Sequence, residues 1–448
     1  MERQYKDSGI EWIGKIPQTW EVDRFKNKFK TGKGLNINKG NLIPEGIPVV
    51  SYGQVHSKMN SGTHLDDFLV RYIPPILTVG GESSKVGVGD FIFADTSEDI
   101  DGCGNAVYVD REIGLYAGYH SVIAFAKNPE QSKYFAYLFL TECWRSQIRM
   151  RVTGIKVFSI SQAILNQTTI ILPPLAEQQR IAEYLDEKCM DICSLIKLQE
   201  QMIEKLKAYK QSIITETVTK GLDTNAKLVP SGIDWIGEVP EGWEEAPLKT
   251  ILFRRSEKNN PVKTKERLSL SIDKGVTLYA EKTTNLDRFK EDFTQYQLAY
   301  PNDIVLNSMN MIVGAVGLSH FYGCVSPVYY VVYSKSKDTD IRYYSYLLNT
   351  QIIRDVYHSL GQGIYAIERG EGRVNTCRLK VSYDDFGVIR IPIPPVSEQH
   401  AIVSYLDVKC SEIDKLIAVK KQKVEKLKEY KKSVIYEAVT GKTSFAVS

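Results

Sequence analysis

A short cationic stretch, WRSQIRMRVTGIK, holds the side chains with the clearest chemical use in this sequence. It contains Arg145, Arg149, Arg151 and Lys156, with Gln147 among them, and it has no acid. Such cations neutralise phosphates, and Arg and Gln side chains form hydrogen bonds to the edges of bases. The stretch is suited to contact with nucleic acid, although a solvated surface can have the same composition.

Similar stretches occur in other loops, where Asn, Gln and His add the donors and acceptors that read bases. The candidates are Ser51, Tyr52, Gln54, His56 and Lys58 in SYGQVHSK, Arg254, Arg255, Lys258, Lys263 and Lys265 in RRSEKNNPVKTK, and Tyr365, Arg369 and Arg373 in the glycine-rich GIYAIERGEGR. Each stretch alone is weak evidence, because charged surface runs are usually just solvated. Their occurrence at similar places in both halves of the chain favours binding.

The sequence does not contain a complete catalytic motif of the kinds that its residues suggest. The Gly441-Lys442-Thr443 end of a phosphate-binding loop lacks its first glycine, because Tyr436 stands there. The Pro-Pro steps read IPPI, LPPL and IPPV, without the polar residue that would hold the target amine of an amino-methyltransferase. The carboxylates of ADTSEDIDG have the composition of a turn. We therefore expect no catalytic residue in this chain.

The seven cysteines are odd in number and scattered, and none forms a CxxC pair, so they predict a cytoplasmic protein. Cys189 and Cys193 lie four residues apart on a predicted helix, but without a nearby histidine they are better interpreted as small core residues. We expect no metal or cofactor in this chain. No run approaches the ~20 apolar residues that a membrane span needs, so no membrane partner is expected.

The chain is a tandem duplication. SGIEWIGKIPQTWE begins at Ser8, and SGIDWIGEVPEGWE begins 223 residues later. The segment from Leu172 to Thr219 matches the segment from Ile393 to Thr440 with 25 identities in 48 positions. The interiors between these flanks are almost equal in length but do not align. Two domains of one fold that meet two different targets explain this contrast.

The duplicated segments after each Pro-Pro step predict long helices with apolar residues three and four apart, the pattern of a coiled-coil seam. The predicted seam consists of Ile181, Leu185, Ile192, Leu195, Leu206, Ile402, Leu406, Ile413, Leu416 and Leu427. An isolated helix of this kind would be core or a dimerisation coil. Two of them in one chain can pair with each other antiparallel.

The interiors combine β-rich runs with a helix, which predicts an α/β (α+β) fold class. The predicted architecture is two globular target-recognition domains separated by a pair of long antiparallel coiled-coil helices, as a pseudo-twofold tandem duplication. The predicted segments are 1–171 and 223–392 for the two opening segments with their domains, and 172–222 and 393–448 for the helical spacers.

The arrangement resembles the DNA-specificity (S) subunit of a type I restriction-modification system. The resemblance covers nearly the whole chain and depends on the SGI.WIG..P..W openings, the PPL.EQ and PPV.EQ junctions, the helices ending KAYKQSI and KEYKKSV, and DIVLNSMNMIVGAVGLSHFYGCVSPVYYVV. The first interior matches the family only by position and length.

This resemblance implies that each domain reads half of a bipartite site in double-stranded DNA, and that the helices set the spacer and dock two methyltransferase (M) subunits. It implies S-adenosylmethionine in the M subunits, which methylate adenine, and ATP and Mg in motor nuclease restriction (R) subunits. The chain itself would be a non-catalytic subunit. The alternatives are the recognition subunit of a type IIB-like enzyme and a coiled-coil protein adaptor without DNA binding.

Overall fold

The computed structural model describes residues 3–11, 13–154, 156–282, 292–336, 338–364, 368–369, 373–374 and 378–445. The chain divides into two compact units, Met1–Gln199 with Gln422–Ser448, and Glu200–Lys421. Each unit contains one globular domain and parts of both duplicated helices. The four-segment division from the sequence stays a prediction.

The first unit is built around a four-stranded antiparallel sheet in the order Phe29–Lys33, Ser121–Ala126, Phe91–Ala94, Ala106–Tyr108. Its other strands are Tyr5–Asp7, Lys15–Pro17, Glu21–Arg24, Ile47–Val50, Arg71–Ile73, Thr96–Ser97, Tyr116–Ala117, Phe158–Ser159 and Thr169–Leu172. Its short α-helices are Phe25–Lys28, Tyr52–Val55, Ser132–Leu138, Glu142–Arg149 and Gln162–Asn166.

The second unit has the same central plan, with a sheet in the order Phe253–Arg254, Tyr329–Tyr333, Ile304–Asn307, Val316–Leu318. Its other strands are Leu228–Ile233, Ile236–Pro240, Glu244–Pro247, Leu268–Ser271, Gly275–Leu278, Gln297–Ala299, Gly323–Val325, Gln362–Ile364, Glu368–Arg369, Arg373–Val374, Arg378–Lys380 and Arg390–Ile393. Its short α-helices are Leu248–Ile251, Ile341–Leu348, Gln351–Leu360 and Tyr383–Val388. The expected mixed fold with two globular domains is confirmed.

Each globular domain is closed by pairing its first strand with its last. Glu21–Arg24 pairs antiparallel with Thr169–Leu172, and Glu244–Pro247 pairs antiparallel with Arg390–Ile393. The chain therefore enters and leaves each domain on adjacent strands. A Pro-Pro step immediately follows the strand on which it leaves. Proline disfavours helix in the residue before it, so the long helix starts only after that step.

The duplicated segments form the first repeat helix, Leu175–Lys220, and the second repeat helix, Val396–Val439. In the first unit, Trp20 lies beside both Glu177 and Gly441, and Cys193 lies beside Lys431. Residue numbers rise on one helix as they fall on the other, so the two segments in this unit run antiparallel.

The second unit contains the matching antiparallel pair. The Lys210 ammonium lies 2.7 Å from the Asp414 carboxylate, and the Lys420 ammonium lies 3.7 Å from the Met202 sulfur. Lys210 and Asp414 correspond in the repeat to Lys431 and Cys193, where the ammonium lies 3.2 Å from the thiol sulfur. The lysine is therefore the same in both halves, but its partner is a carboxylate in the second unit and a thiol in the first.

A tryptophan–glutamate hydrogen bond explains why the opening segment is duplicated. The Trp20 indole donates to Glu177 over 2.9 Å, and the Trp243 indole donates to Glu398 over 2.9 Å. Each bond fastens the opening segment of a domain to the first turn of the repeat helix that follows it. Arg3 also pairs with Glu177 in the first unit.

The glutamine of each EQ pair fastens the Pro-Pro step to the helix. The Gln178 side-chain amide donates to the Pro173 carbonyl over 2.8 Å, and Gln399 donates to Pro394 over 2.9 Å. Both glutamines are buried. A buried amide needs a hydrogen-bond partner, so this bond is expected to be kept. Because it joins the first turn of the helix to the Pro-Pro step, it fixes the direction in which the helix leaves the domain.

A glycine at the end of each repeat helix completes this junction. Gly221 and Gly441 have φ values of +73° and +76°, the left-handed conformation of a helix C-terminus. A Cβ at Gly221 would lie 2.5 Å from Glu398, and one at Gly441 would lie 2.4 Å from Pro17. Glycine is required at both positions for conformation and for space.

A Tyr-x-x-Tyr pair in each domain forms hydrogen bonds to both repeat helices. The buried Tyr134 hydroxyl lies 3.1 Å from the Val439 carbonyl, and the buried Tyr343 hydroxyl donates to Val218 over 2.8 Å. Burial raises the pKa of both hydroxyls well above the usual value, so both stay protonated donors. The second tyrosines act on the other helix, because Tyr137 donates to Asp186 and Tyr346 donates to Asp407.

Among the predicted seam residues, those near the helix starts are buried and two in the middle are exposed. Ile181, Leu185, Ile192, Ile402, Leu406 and Ile413 are buried, Leu206 and Leu427 are half-buried, and Leu195 and Leu416 are exposed. From Ile192 the buried face continues four residues on, at Ile196, and then through Gln199 and Ile203. Leu195 and Leu416 lie one position off that face.

No helix in the described part of the chain is long and apolar enough to cross a membrane.

We expect Trp20→Phe to lower the free energy of unfolding by about 2 kcal/mol, because it leaves a buried carboxylate without one donor. Trp243→Phe is the matched control and should cost about 1 kcal/mol, since Trp243 and Glu398 are more exposed. Urea denaturation measures the loss, and hydrogen exchange at 175–185 assigns it to the first unit. Unchanged exchange there would contradict the role of Trp20.

Candidate nucleic-acid interface

Arg145 and Arg149 line one wall of a groove of about 900 Å³ in the first unit. The Arg145 side chain donates to the Phe139 carbonyl over 3.0 Å, and Arg149 donates to Glu142 over 2.6 Å and to the Asp101 carbonyl over 3.2 Å. Burial, and next the Arg149 guanidinium, lower the pKa of Arg145 to about 10. Arg145 is therefore charged at neutral pH, and the hydrogen bonds of both arginines hold them against the protein.

Gln147 has a structural role. Its side-chain amide donates to the Thr169 carbonyl over 2.9 Å and accepts from the Thr169 amide over 2.7 Å. The side chain is buried and pins Glu142–Arg149 to the closing strand Thr169–Leu172. The sequence prediction that Gln147 contacts a base is therefore wrong, since both ends of its amide are already used.

Ser51 to Lys58 form a small structured turn rather than an open reading loop. Ser51 is buried, and its amide donates to the Gln54 side chain over 3.2 Å. His56 uses both ring nitrogens, at 2.8 Å from the Thr96 carbonyl and 3.2 Å from the Asn105 amide. In this group Lys58 is the exposed cation.

The face around Tyr52 is acidic. Its ring packs edge-on against His56 at 4.8 Å between centroids. Burial first, and then the carboxylates of Glu98, Asp99 and Asp95, raise the pKa of Tyr52. Asp99 accepts from the Gly102 amide over 2.6 Å, which confirms the expected turn. A carboxylate-rich face repels phosphates but can accept from the amino group of cytosine.

Arg151 and Lys156 are the exposed cations at the far end of the first stretch. The Arg151 guanidinium donates to the Gln147 carbonyl over 2.6 Å, which holds this charged group near the helix end while the side chain stays exposed. With Lys58, they are the sequence-predicted cations of the first unit that remain free to reach a phosphate or a base.

Arg255 belongs to a buried ion pair in the second unit. It donates to both oxygens of Asp303 over 2.7 and 2.8 Å, and Asp303 is 3% exposed. The Tyr300 and Tyr333 rings lie 4.5 and 4.4 Å from its guanidinium. The Asp303 hydrogen bond is the main cause that raises the pKa of Arg255. Arg255 is thus a structural residue, and its prediction as a DNA contact is not supported by this geometry.

The remaining cations of this stretch are exposed at the surface of the second unit. Arg254 lies over the Tyr330 and Tyr383 rings at 5.3 and 5.1 Å, and Lys263 pairs with Glu257. Lys258 and Lys265 are exposed. These four side chains can reach a polyanion without disturbing the core.

The glycine-rich loop of the second domain lies largely outside the described residues. Tyr365 is outside them, and so are the side chains of Arg369 and Arg373. The backbone places Arg369 opposite Arg373 in a short antiparallel pair of strands. Their predicted role as DNA contacts stays a prediction.

Within the described ranges, no group of three or more His, Cys, Asp or Glu side chains could hold a metal ion. None of the six described cysteines forms a disulfide bond, and all of them except Cys193 are buried.

Comparison with known proteins shows which proteins this chain resembles. Residues 17–214 match the family model described as the type I restriction modification DNA specificity domain. The MjaX specificity subunit of Methanocaldococcus jannaschii, a type I restriction enzyme subunit, is 24% identical over 438 residues, which are 96% of this chain and 95% of the relative. The chain is thus similar to type I restriction enzyme specificity subunits over nearly its whole length, and the DNA specificity domain model matches residues 17–214.

Further relatives show the same similarity. The MjaVIII specificity subunit of the same archaeon is 26% identical over 322 residues, or 68% of this chain and 69% of the relative. A chain from a solved structure on complex assembly and conformational transition of the type I R-M system has a TM-score of 0.65 and 16% identity, covering 96% of this chain and 99% of that chain. The specificity-subunit interpretation is therefore supported over the protein-adaptor alternative.

Both repeat helices carry an exposed apolar stripe, two residues of which the sequence analysis assigned to the helix seam instead. Leu195, Leu198 and Tyr209 on the first helix correspond in the repeat to Leu416, Val419 and Tyr430 on the second, and all six are 46% to 61% exposed. The signal was present as duplicated apolar positions off the seam. Duplicated, exposed apolar positions are typical of two equivalent protein contacts.

We expect Arg255→Ala to destabilise the protein by about 3 kcal/mol, because it leaves the buried Asp303 carboxylate unpaired. Lys258→Ala, on the same stretch but exposed, should change the free energy of unfolding by less than about 0.5 kcal/mol. Urea denaturation of the full chain separates the two variants. Equal stability of both would show that the Asp303 pair is not structural.

Proposed function

We propose that this chain is the DNA sequence-recognition subunit of a type I restriction-modification complex, in which each globular domain reads one half of a bipartite DNA site. One observation carries the proposal. The junctions that join each domain to the repeat helices share the same tryptophan, glutamine and tyrosine hydrogen bonds, whereas the exposed side chains of the two domains differ. A conserved frame with divergent exposed surfaces is what two readers of different sequences require.

The exposed cations support DNA as the ligand of both domains. Arg151 and Lys156 in the first unit, and Lys258 and Lys265 in the second, are exposed Lys or Arg side chains on the domains. Phosphate contacts position a protein on DNA, and contacts to base edges specify the sequence. We expect the cations to set affinity and the neighbouring amide, hydroxyl and acidic groups to set sequence preference.

Catalysis belongs to other subunits in this proposal. M subunits would carry S-adenosylmethionine and methylate an adenine, which has to be flipped out of the duplex. R subunits would use ATP and Mg for cleavage. This chain would decide which adenine is reached, through the DNA sequence that it holds. The setting of this assembly would be the cytoplasm.

The exposed apolar stripe supports docking of two M subunits. Leu195 with Leu198, and Leu416 with Val419, present the same apolar spacing at equivalent positions of the two repeat helices. Apolar side chains that are half exposed gain free energy when a partner covers them. Two equivalent stripes predict two equivalent partners, and the length of the helices would set the DNA spacer between the half-sites.

Exchange of one domain tests the two-reader model. Replacing residues 22–171 with the corresponding domain of another family member should change one half-site and leave the other unchanged, because the replaced segment begins and ends on paired strands. The methylated sites in DNA from cells that express the chimera identify both half-sites. Changes in both half-sites would contradict separate readers.

Charged substitutions in the stripe test the docking of M subunits. The pair Leu195→Glu and Leu198→Glu should weaken one M contact by about 2 kcal/mol or more, roughly 30-fold in affinity, because two carboxylates would have to be buried. The complex should then contain one M subunit by native mass spectrometry instead of two. The matched pair is Leu416→Glu and Val419→Glu, and all four substitutions together should release both M subunits. Retention of two M subunits by the fourfold variant would place the docking surface elsewhere.

A further inference from the structure

Ile76 and Val79 are the most exposed large apolar side chains in the described part of the chain, at 73% and 77%. Ile76 lies within the 3₁₀ turn Pro75–Thr78, which begins immediately after Pro74, and Val79 follows this turn directly. The Thr78 hydroxyl donates to the Pro75 carbonyl over 2.8 Å, which stiffens the turn. The two side chains therefore project from a rigid backbone and not from a loose loop.

A loop with several lysines lies directly beside this turn. Leu77, between the two exposed side chains, packs into one small core with Leu35 and Ile37. Beyond the turn, the Ser84 hydroxyl donates to the Lys33 carbonyl over 2.9 Å. These contacts hold the apolar turn and the segment 33–42 side by side on one face of the first domain.

Lysines outnumber carboxylates on this face, which also carries the exposed Glu82 between Val79 and Lys85 and the exposed Glu45 after Pro44. The sequence between Phe29 and Pro44 contains Lys30, Lys33 and Lys39 and no acid. Lys33, Lys39 and Lys85 are all exposed. Asn38 and Asn41 fold this loop through a reciprocal capping box, so its shape is fixed before any ligand binds.

Some proteins deform DNA from the minor groove with exposed apolar side chains. The rigid turn presents such side chains, and cations lie on either side of it. Cations hold the phosphates on either side of the groove, and an apolar wedge enters between two base steps and partly unstacks them. An apolar protein partner would not need the lysines, and a simple phosphate contact would not need Ile76 and Val79. The combination selects DNA.

We infer that Ile76 and Val79 form an apolar wedge that enters the minor groove of the DNA bound by the first domain, with Lys33, Lys39 and Lys85 on the flanking phosphates. This inference rests on the proposed function. A wedge prefers base steps that unstack easily, so the first domain would also read its half-site through DNA deformability, at positions where no hydrogen bond to a base is made.

The test uses the full chain bound to its M subunits and a duplex that carries the site found by mapping methylated adenines. The Ile76→Ser, Val79→Ser double variant should bind this duplex ~10-fold more weakly and bend it less, measured by energy transfer between dyes on the duplex ends. Val88→Ser is the matched control, because Val88 is an exposed loop valine of the same unit and lies outside the wedge. It should keep both affinity and bend.

The outcomes separate the wedge from the proposed function. A double variant with wild-type affinity and wild-type bend overturns the wedge and leaves the proposed function standing. A double variant that loses M subunits by native mass spectrometry also overturns it, because the face would then be a protein contact. A wild-type complex that retains no DNA at any salt concentration overturns both.

Discussion

The structure depends on one hydrogen-bonded junction that occurs twice. A tryptophan of the opening segment donates to the first glutamate of the following repeat helix, and a left-handed glycine that ends the other repeat helix packs against that pair. The start of one helix, the end of the other and the edge of a domain are thereby held at one point. Substitution of any one partner leaves a buried polar group or a steric clash at that point. The repeated sequences on either side of the diverged interiors are the residues that this junction requires.

The same constraint explains which parts of the chain are free to differ. Residues that face the junction and the repeat helices are duplicated, including tyrosine pairs that donate to equivalent carbonyls and carboxylates. Residues on the exposed loops are not duplicated, because no internal partner depends on them. Recognition of two different ligands can therefore be combined with a single internal frame. The thiol of Cys193, at the position of Asp414, is one of the few differences inside the frame.

Much of the fold could be predicted from the sequence because its signals are local and repeated. The Pro-Pro steps, the EQ pairs and the apolar spacing predict the two helices and their pairing. The Tyr-x-x-Tyr pairs were missed because they recur 209 residues apart, whereas the two flanks recur 223 and 221 residues apart, so the interiors do not align in the same frame. Less of the candidate interface was predictable. Gln147 and Arg255 have the residue types of a DNA contact, but only the folded structure shows that buried groups already use their hydrogen bonds.

The pairing of the first and last strands of each domain has a consequence for how such proteins diversify. The two ends of a domain lie on neighbouring strands. The repeated opening segment precedes the first of these strands, and the repeated helical segment follows the last. A genetic exchange between two related genes in those repeated stretches would deliver a complete domain with its ends already in register. New sequence preferences could then arise in a single recombination event. No series of point mutations would be needed, and no partly changed variant that fails to fold would have to survive selection.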